Sequence, residues 1–68
     1  MVLEGVIKKF LEERGYGFIR RDDRQPDVFF HIRAMPPGSE PREGDLVSFD
    51  VENDRNGRLQ AVNMQLAT

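Results

Sequence analysis

Hydrophobic and polar positions alternate with a period of two along most of this chain, and no apolar face recurs at helical spacing. The cleanest alternation is Asp45 to Glu52, with Val47, Phe49 and Val51 on one side and Ser48, Asp50 and Glu52 on the other. Gly15 to Arg21 and Asp27 to Arg33 alternate in the same way, and Val2 to Phe10 is rich in β-branched and apolar residues. Leu59 to Leu66 ends the series, with Val62 and Met64 on its inward side. The pattern predicts five strands and no helix.

The connections carry matching turn chemistry. Asn56-Gly57 is the strongest short hairpin signal a sequence offers. In RDDRQP the carboxylates of Asp22 and Asp23 can bond their own backbone, and Pro26 fixes a bend. AMPPGSEPREG holds three prolines and two glycines, which forbid a regular helix or an internal strand. It is predicted to be an ordered, irregular connection of about ten residues. Short strands with tight turns favour a closed barrel, because closure removes the edges that would otherwise aggregate. The fold class is therefore all-β, a five-stranded antiparallel barrel in a single domain spanning residues 1–68. Its predicted core is Val6 or Ile7, Ile19, Val28, Phe30, Val47, Phe49, Val51, Val62 and Met64.

Length and composition narrow the function. A chain of 68 residues buries only about 60% of the surface its unfolded form exposes, so a compact closed architecture is needed. There is no cysteine and only one histidine, so no disulfide, cofactor or metal is expected, and a reducing cytoplasm is the natural compartment. No apolar run approaches the ~20 residues of a membrane span, and no signal-peptide pattern opens the chain. The net charge of −2 and pI of about 5.3 argue against coulombic duplex binding. Residues 1–33 hold seven Lys or Arg against six Asp or Glu, net +1, whereas residues 34–68 hold three against six, net −3. The asymmetry leaves room for a locally basic face but not for strong nonspecific attraction.

Catalysis has little to work with. Two serines, one histidine and no cysteine make a nucleophile–base pair a poor reading, and Gly15-x-Gly17 lacks the third glycine and the helix of a phosphate cradle. The chain is not expected to be an enzyme. The second and third strands, paired antiparallel, instead place Tyr16, Phe18, Phe29 and His31 on one outward face. Lys8, Lys9, Arg20 and Arg33 flank it, and Gly15 and Gly17 leave the neighbouring positions bare for a flat base. Aromatic rings among cations suit single-stranded nucleic acid, because every base has a π-face and stacking is worth about 1–3 kcal/mol per base. Two structural alternatives stand beside this. Cross-strand aromatic pairs stabilise hairpins in their own right, and the proline-rich connection could cover Phe18 or Phe29.

The same residues carry a family resemblance. GYGFI resembles the first ribonucleoprotein motif of cold-shock domains, K-G-[FY]-G-F-I, and DVFFH resembles their second, V-F-[VF]-H. Gly5, Ile7, Lys8 and Phe10 fit the opening G-x-[VI]-K-x-F, Glu43 to Phe49 fits E-G-D-x-V-x-F, and Ala61 to Asn63 fits A-V-N. The resemblance implies an oligonucleotide-binding (OB) barrel that binds single-stranded RNA or DNA on its second and third strands. Lys8, Phe10, Tyr16, Phe18, Phe29 and His31 match the family's contact positions. It also implies RNA chaperoning or regulation of transcription and translation. Three departures predict weaker binding and a shorter footprint than in typical members. Lys9 stands where the family has Trp, Ile32 where an aromatic follows the histidine, and the long connection lacks its stacking Phe. A rival expectation is a barrel that has lost much of this site and serves as a protein-docking module of a longer protein. A monomer is expected, with a swapped dimer accessible through the long connection.

Overall fold

The computed structural model describes residues 2–67. Each alternating segment forms a strand: β1 (Leu3–Leu11), β2 (Tyr16–Arg21), β3 (Val28–His31), β4 (Leu46–Asn53) and β5 (Leu59–Leu66). They close into the expected all-β barrel in the order β1-β2-β3-β5-β4. Four seams are antiparallel and the fifth, β3 with β5, is parallel. An odd number of strands cannot alternate direction all the way round a ring, so one parallel seam is unavoidable. The long β3–β4 connection is what lets it fall there, since a parallel pair cannot be joined by a tight turn.

The third strand was expected to run to Arg33 but stops at His31. Ile32–Ala34 forms a 3-10 turn capped by His31, whose Nδ1 accepts the Arg33 N–H at 3.1 Å. The Ile32 N–H still reaches the Gly15 carbonyl at 2.8 Å, the next step of the β2–β3 register. The 3-10 turn drops Met35 into the barrel, where it is 5% exposed, and the connection further on buries Pro41. The connection is thus anchored in the core by Met35 and buried a second time at Pro41.

The core comprises Ile7, Ile19, Val28, Phe30, Met35, Val47, Phe49, Ala61 and Met64. Ile7, not Val6, fills the first-strand position. Two expected members are displaced. Val51 is only half-buried at the core's margin. Val62 is half-buried as well, and Ala61 takes the inward place. For Val62 the cause is a bulge. Ser48 pairs with Gln65 and Asp50 with Val62, so Asn63 and Met64 together oppose Phe49 alone. Asn63 adopts φ +52, a conformation Asn tolerates better than most residues. The extra residue lets Ala61 and Met64 both face inward, a spacing that strict alternation forbids.

A second bulge lies in β1, between Ile7 paired with Ile19 and Lys9 paired with Phe18. Lys8 is the unpaired extra residue, and beyond it the pleat is reset so that Phe10 opposes Gly17 on the inner side. Gly17 is what lets the strands meet there. A Cβ on it would run into the Lys9 carbonyl oxygen, and would lie 2.9 Å from the Phe30 ring and 3.0 Å from Phe10 Cα. Gly17→Ala is expected to lose about 3 kcal/mol of stability, the upper end for overpacking, because the obstruction is backbone. Urea unfolding checks this, and a loss below ~1 kcal/mol would mean the β1–β2 seam yields easily.

Candidate nucleic-acid interface

Two adjacent register pairs build the outer face of the β2–β3 ribbon: Tyr16 opposite His31, and Phe18 opposite Phe29. Because alternation sends Gly17, Ile19, Val28 and Phe30 inward, these four must point outward. The three carbocyclic rings touch one another. Tyr16 and Phe29 have centroids 5.4 Å apart, Phe18 and Phe29 6.1 Å in an edge-on arrangement, and Tyr16 and Phe18 6.4 Å, also edge-on. All are half-buried, so each shows part of a ring to solvent while its neighbours hold it. The proline-rich connection does not cover them. Its Ser39–Arg42 segment borders a cleft with Phe10, Glu12 and Ile32 instead.

Where the other expected site residues lie follows from the β1 bulge. Lys9 sits directly across from Phe18 on the aromatic face. Lys8, at the bulge, reaches over to Asp27, the residue before β3, with Nζ 2.9 Å from the carboxylate. Phe10 is turned away from the face. Its ring stacks on Phe30 at 5.9 Å with an interplanar angle of 12°, and it packs against the core. The structure therefore gathers Lys9, Tyr16, Phe18, Phe29 and His31, keeps Lys8 at the margin, and does not bring Phe10 among them. Arg20 lies on the same outward pleat two residues beyond Phe18, opposite Val6. Arg33, beside His31 in the 3-10 turn, lines a cleft of about 450 Å³ with Gln60, Val62 and Asn63. Gly17, expected to leave room for a base, instead serves the strand contact described above, whereas Gly15 does border the His31 ring.

One further cation belongs to the face. The Arg58 guanidinium lies over the Phe29 ring, 5.2 Å from its centroid, within cation–π range. The β4–β5 turn fixes its backbone. The Asp54 carboxylate accepts the Asn56 N–H at 2.8 Å and the Arg58 N–H at 2.9 Å, and the Asp54 N–H donates to the Arg58 carbonyl at 2.8 Å. The two N–H groups on its carboxylate, that of Arg58 foremost, hold the Asp54 carboxyl below its ordinary value. Arg58, Leu59 and Pro26 wall a cup of about 280 Å³ against Phe18 and Phe29. The sequence marked the turn, through Asn56-Gly57, but not that β5 runs beside β3 with Gln60 next to Phe29. Non-local parallel pairing leaves no signal in a local pattern.

Other charges are spent on the scaffold. Arg21 grips Asp23 in the RDDRQP turn at 3.0 and 2.6 Å, a two-pronged pair that leads the causes holding the Asp23 carboxyl below its ordinary value. Lys8 and Arg42 are also in ion pairs, but among the described residues Lys9, Arg20, Arg33 and Arg58 are in none. Among the described residues no three His, Asp or Glu side chains converge as a metal site would require, and no helix is long and apolar enough to cross a membrane.

Residues 3–67 match the family described as the 'Cold-shock' DNA-binding domain. The chain is similar to the cold shock-like protein CspG of Shewanella violacea, 44% identical over 62 residues that cover 88% of this chain and 87% of the relative. It is 42% identical to the cold shock protein CspC of Bacillus subtilis over 66 residues, 94% of this chain and 97% of that one. Among solved structures, drosophila Unr CSD456 aligns with a TM-score of 0.83 at 30% identity, covering 100% of this chain and 27% of that chain.

The inward placing of Phe10 separates it from the outer rings by a stability measurement. Phe10→Ala is expected to cost about 2–3 kcal/mol in urea unfolding, near the low end for a large-to-small change because the ring is only partly buried. Phe18→Ala and Phe29→Ala should each cost ~1 kcal/mol or less, the scale of cross-strand pairs. Acid tests the two carboxylate-stapled turns. Asp23 and Asp54 are both depressed when folded, so their contribution is complete above the unfolded carboxyl range and disappears as pH falls through the folded values. Asp54→Ala should therefore be less stable than the parent at neutral pH and converge with it in strong acid. A gap independent of pH would contradict the carboxylate's role.

Proposed function

The chain belongs to the cold-shock domain family, whose members are nucleic-acid-binding and not enzymes, and from that premise we propose that it binds single-stranded RNA or DNA by stacking splayed bases on Tyr16, Phe18 and Phe29. The observation that carries this reading is the continuity of the three rings on one outward face, 5.4 to 6.4 Å apart. Lys9, Arg20 and Arg33 meet phosphates around it, His31 borders it, and Lys8 joins them when a phosphate displaces Asp27. A net charge of −2 limits long-range attraction, so stacking supplies most of the affinity and sequence preference is low. Three rings at about 1–3 kcal/mol each total about 3–9 kcal/mol, a span from millimolar to sub-micromolar Kd. Lys9, Ile32 and a connection without aromatics leave fewer stacking groups than in members that carry rings there, and binding is correspondingly weaker. Fast release of strands kept unpaired suits RNA chaperoning or regulation of transcription and translation by a cytoplasmic monomer.

Tyr16 is the only tyrosine and there is no tryptophan, so its fluorescence reports the face directly. Titration with a short oligothymidine is expected to give saturable quenching. Phe18→Ala and Phe29→Ala, both still folded, should each weaken binding about 5- to 150-fold, the span of one stacked base. Absence of quenching at millimolar strand would favour a protein-docking module instead. Lys9→Trp should tighten binding and flatten its dependence on salt, since a stacking contact replaces a phosphate contact. An unchanged salt slope and affinity would remove Lys9 from the interface.

A further inference from the structure

Resting on the stacking face proposed above, we infer that Arg58 makes the Phe29 position favour guanine over thymine and uracil. Its guanidinium lies over the ring, 5.2 Å from the centroid, and so stands in the space a base would take to stack on that side of Phe29. The two cannot both lie flat on that side of the ring. The backbone of Arg58 cannot retreat, because the Asp54 carboxylate and N–H hold its N–H and carbonyl at 2.9 and 2.8 Å. The side chain therefore pivots from a fixed root, and the base that displaces it leaves the guanidinium at its own edge.

What the guanidinium does there is decided by its chemistry. It carries N–H donors in a fixed planar fork and no acceptor. Among the described residues it donates no side-chain hydrogen bond and enters no ion pair, unlike Arg21, which is committed to Asp23. A donor-only fork is satisfied by a base edge with two neighbouring acceptors: guanine offers O6 and N7 in that arrangement, and an unpaired cytosine offers O2 and N3. Thymine and uracil place an N–H donor between their two carbonyls, so the fork meets at most one acceptor. Gln60, the register neighbour of Phe29 on β5, both donates and accepts and so adapts to any edge. Selection falls to Arg58. Pro26 and Leu59 line the same cup of about 280 Å³ as Arg58 and Phe29.

The test uses thymidine hexamers carrying one deoxyguanosine at each position in turn, read by Tyr16 quenching. The strand with guanine at the Phe29 position is expected to bind about ten-fold more tightly than the all-thymidine strand, the lower part of the range for a two-pronged Arg–guanine contact at a partly open site. Replacing that guanine with 7-deazaguanine, which lacks the N7 acceptor, should abolish most of the gain. Arg58→Ala and Arg58→Lys should abolish it too, the latter because a point charge cannot form the fork. Equal affinity for all strands, a preference that survives Arg58→Ala or Arg58→Lys, or equal losses on guanine and thymidine strands would each overturn the assignment while leaving the stacking face intact. Failure of the parent protein to bind any hexamer would overturn both.

Discussion

Phe10, Gly17 and Phe30 lie side by side on the inner surface of three neighbouring strands, and the outer surface depends on how closely they pack. The two phenylalanine rings stack across the gap that the missing glycine side chain leaves. That fit holds β1 and β2 in one register, since any larger residue at position 17 would collide with the β1 backbone. Alternation does the rest. A slip of one residue would send Tyr16 and Phe18 inward and leave Ile19 in water. The aromatic surface therefore needs no exposed-site stabilisation of its own, because it is held in place by what its strands bury.

Charge is distributed on the same principle. Carboxylates near the face are largely turned to structural use: Asp23 holds Arg21, Asp27 holds Lys8, and Asp54 closes the turn beneath Arg58. An acidic protein thereby keeps several cations around one patch without an acid paired to each. The overall charge understates how hospitable that patch is to an anion, because short-range pairing and screening make local arrangement matter more than the sum.

The strands, the Asn56-Gly57 hairpin and seven of the nine core residues were legible in the sequence, since period-two patterning and turn chemistry are local. So was the outward set Tyr16, Phe18, Phe29 and His31. The misses trace to features without a local signature. The bulge at Asn63 shifts the pleat by one, which exchanged Val62 for Ala61. Met35 was hidden in a segment whose prolines announced irregularity, yet the 3-10 turn before it aims it at the core. Arg58 reaches Phe29 only because β5 closes against β3, a meeting of residues far apart in the chain.

That closing seam has a further meaning. It is made by two residue pairs, Phe29 with Gln60 and Phe30 with Ala61, against six between β1 and β2. A ring parts most readily at its thinnest joint, and local opening draws on the least stabilised segment rather than on global unfolding. Here the joint runs along the flank of Phe29. Opening there would part fewer residue pairs than opening the β1–β2 side. Cooperative tightness on one side and a loosely hinged clasp on the other give this small ring a direction in which to yield.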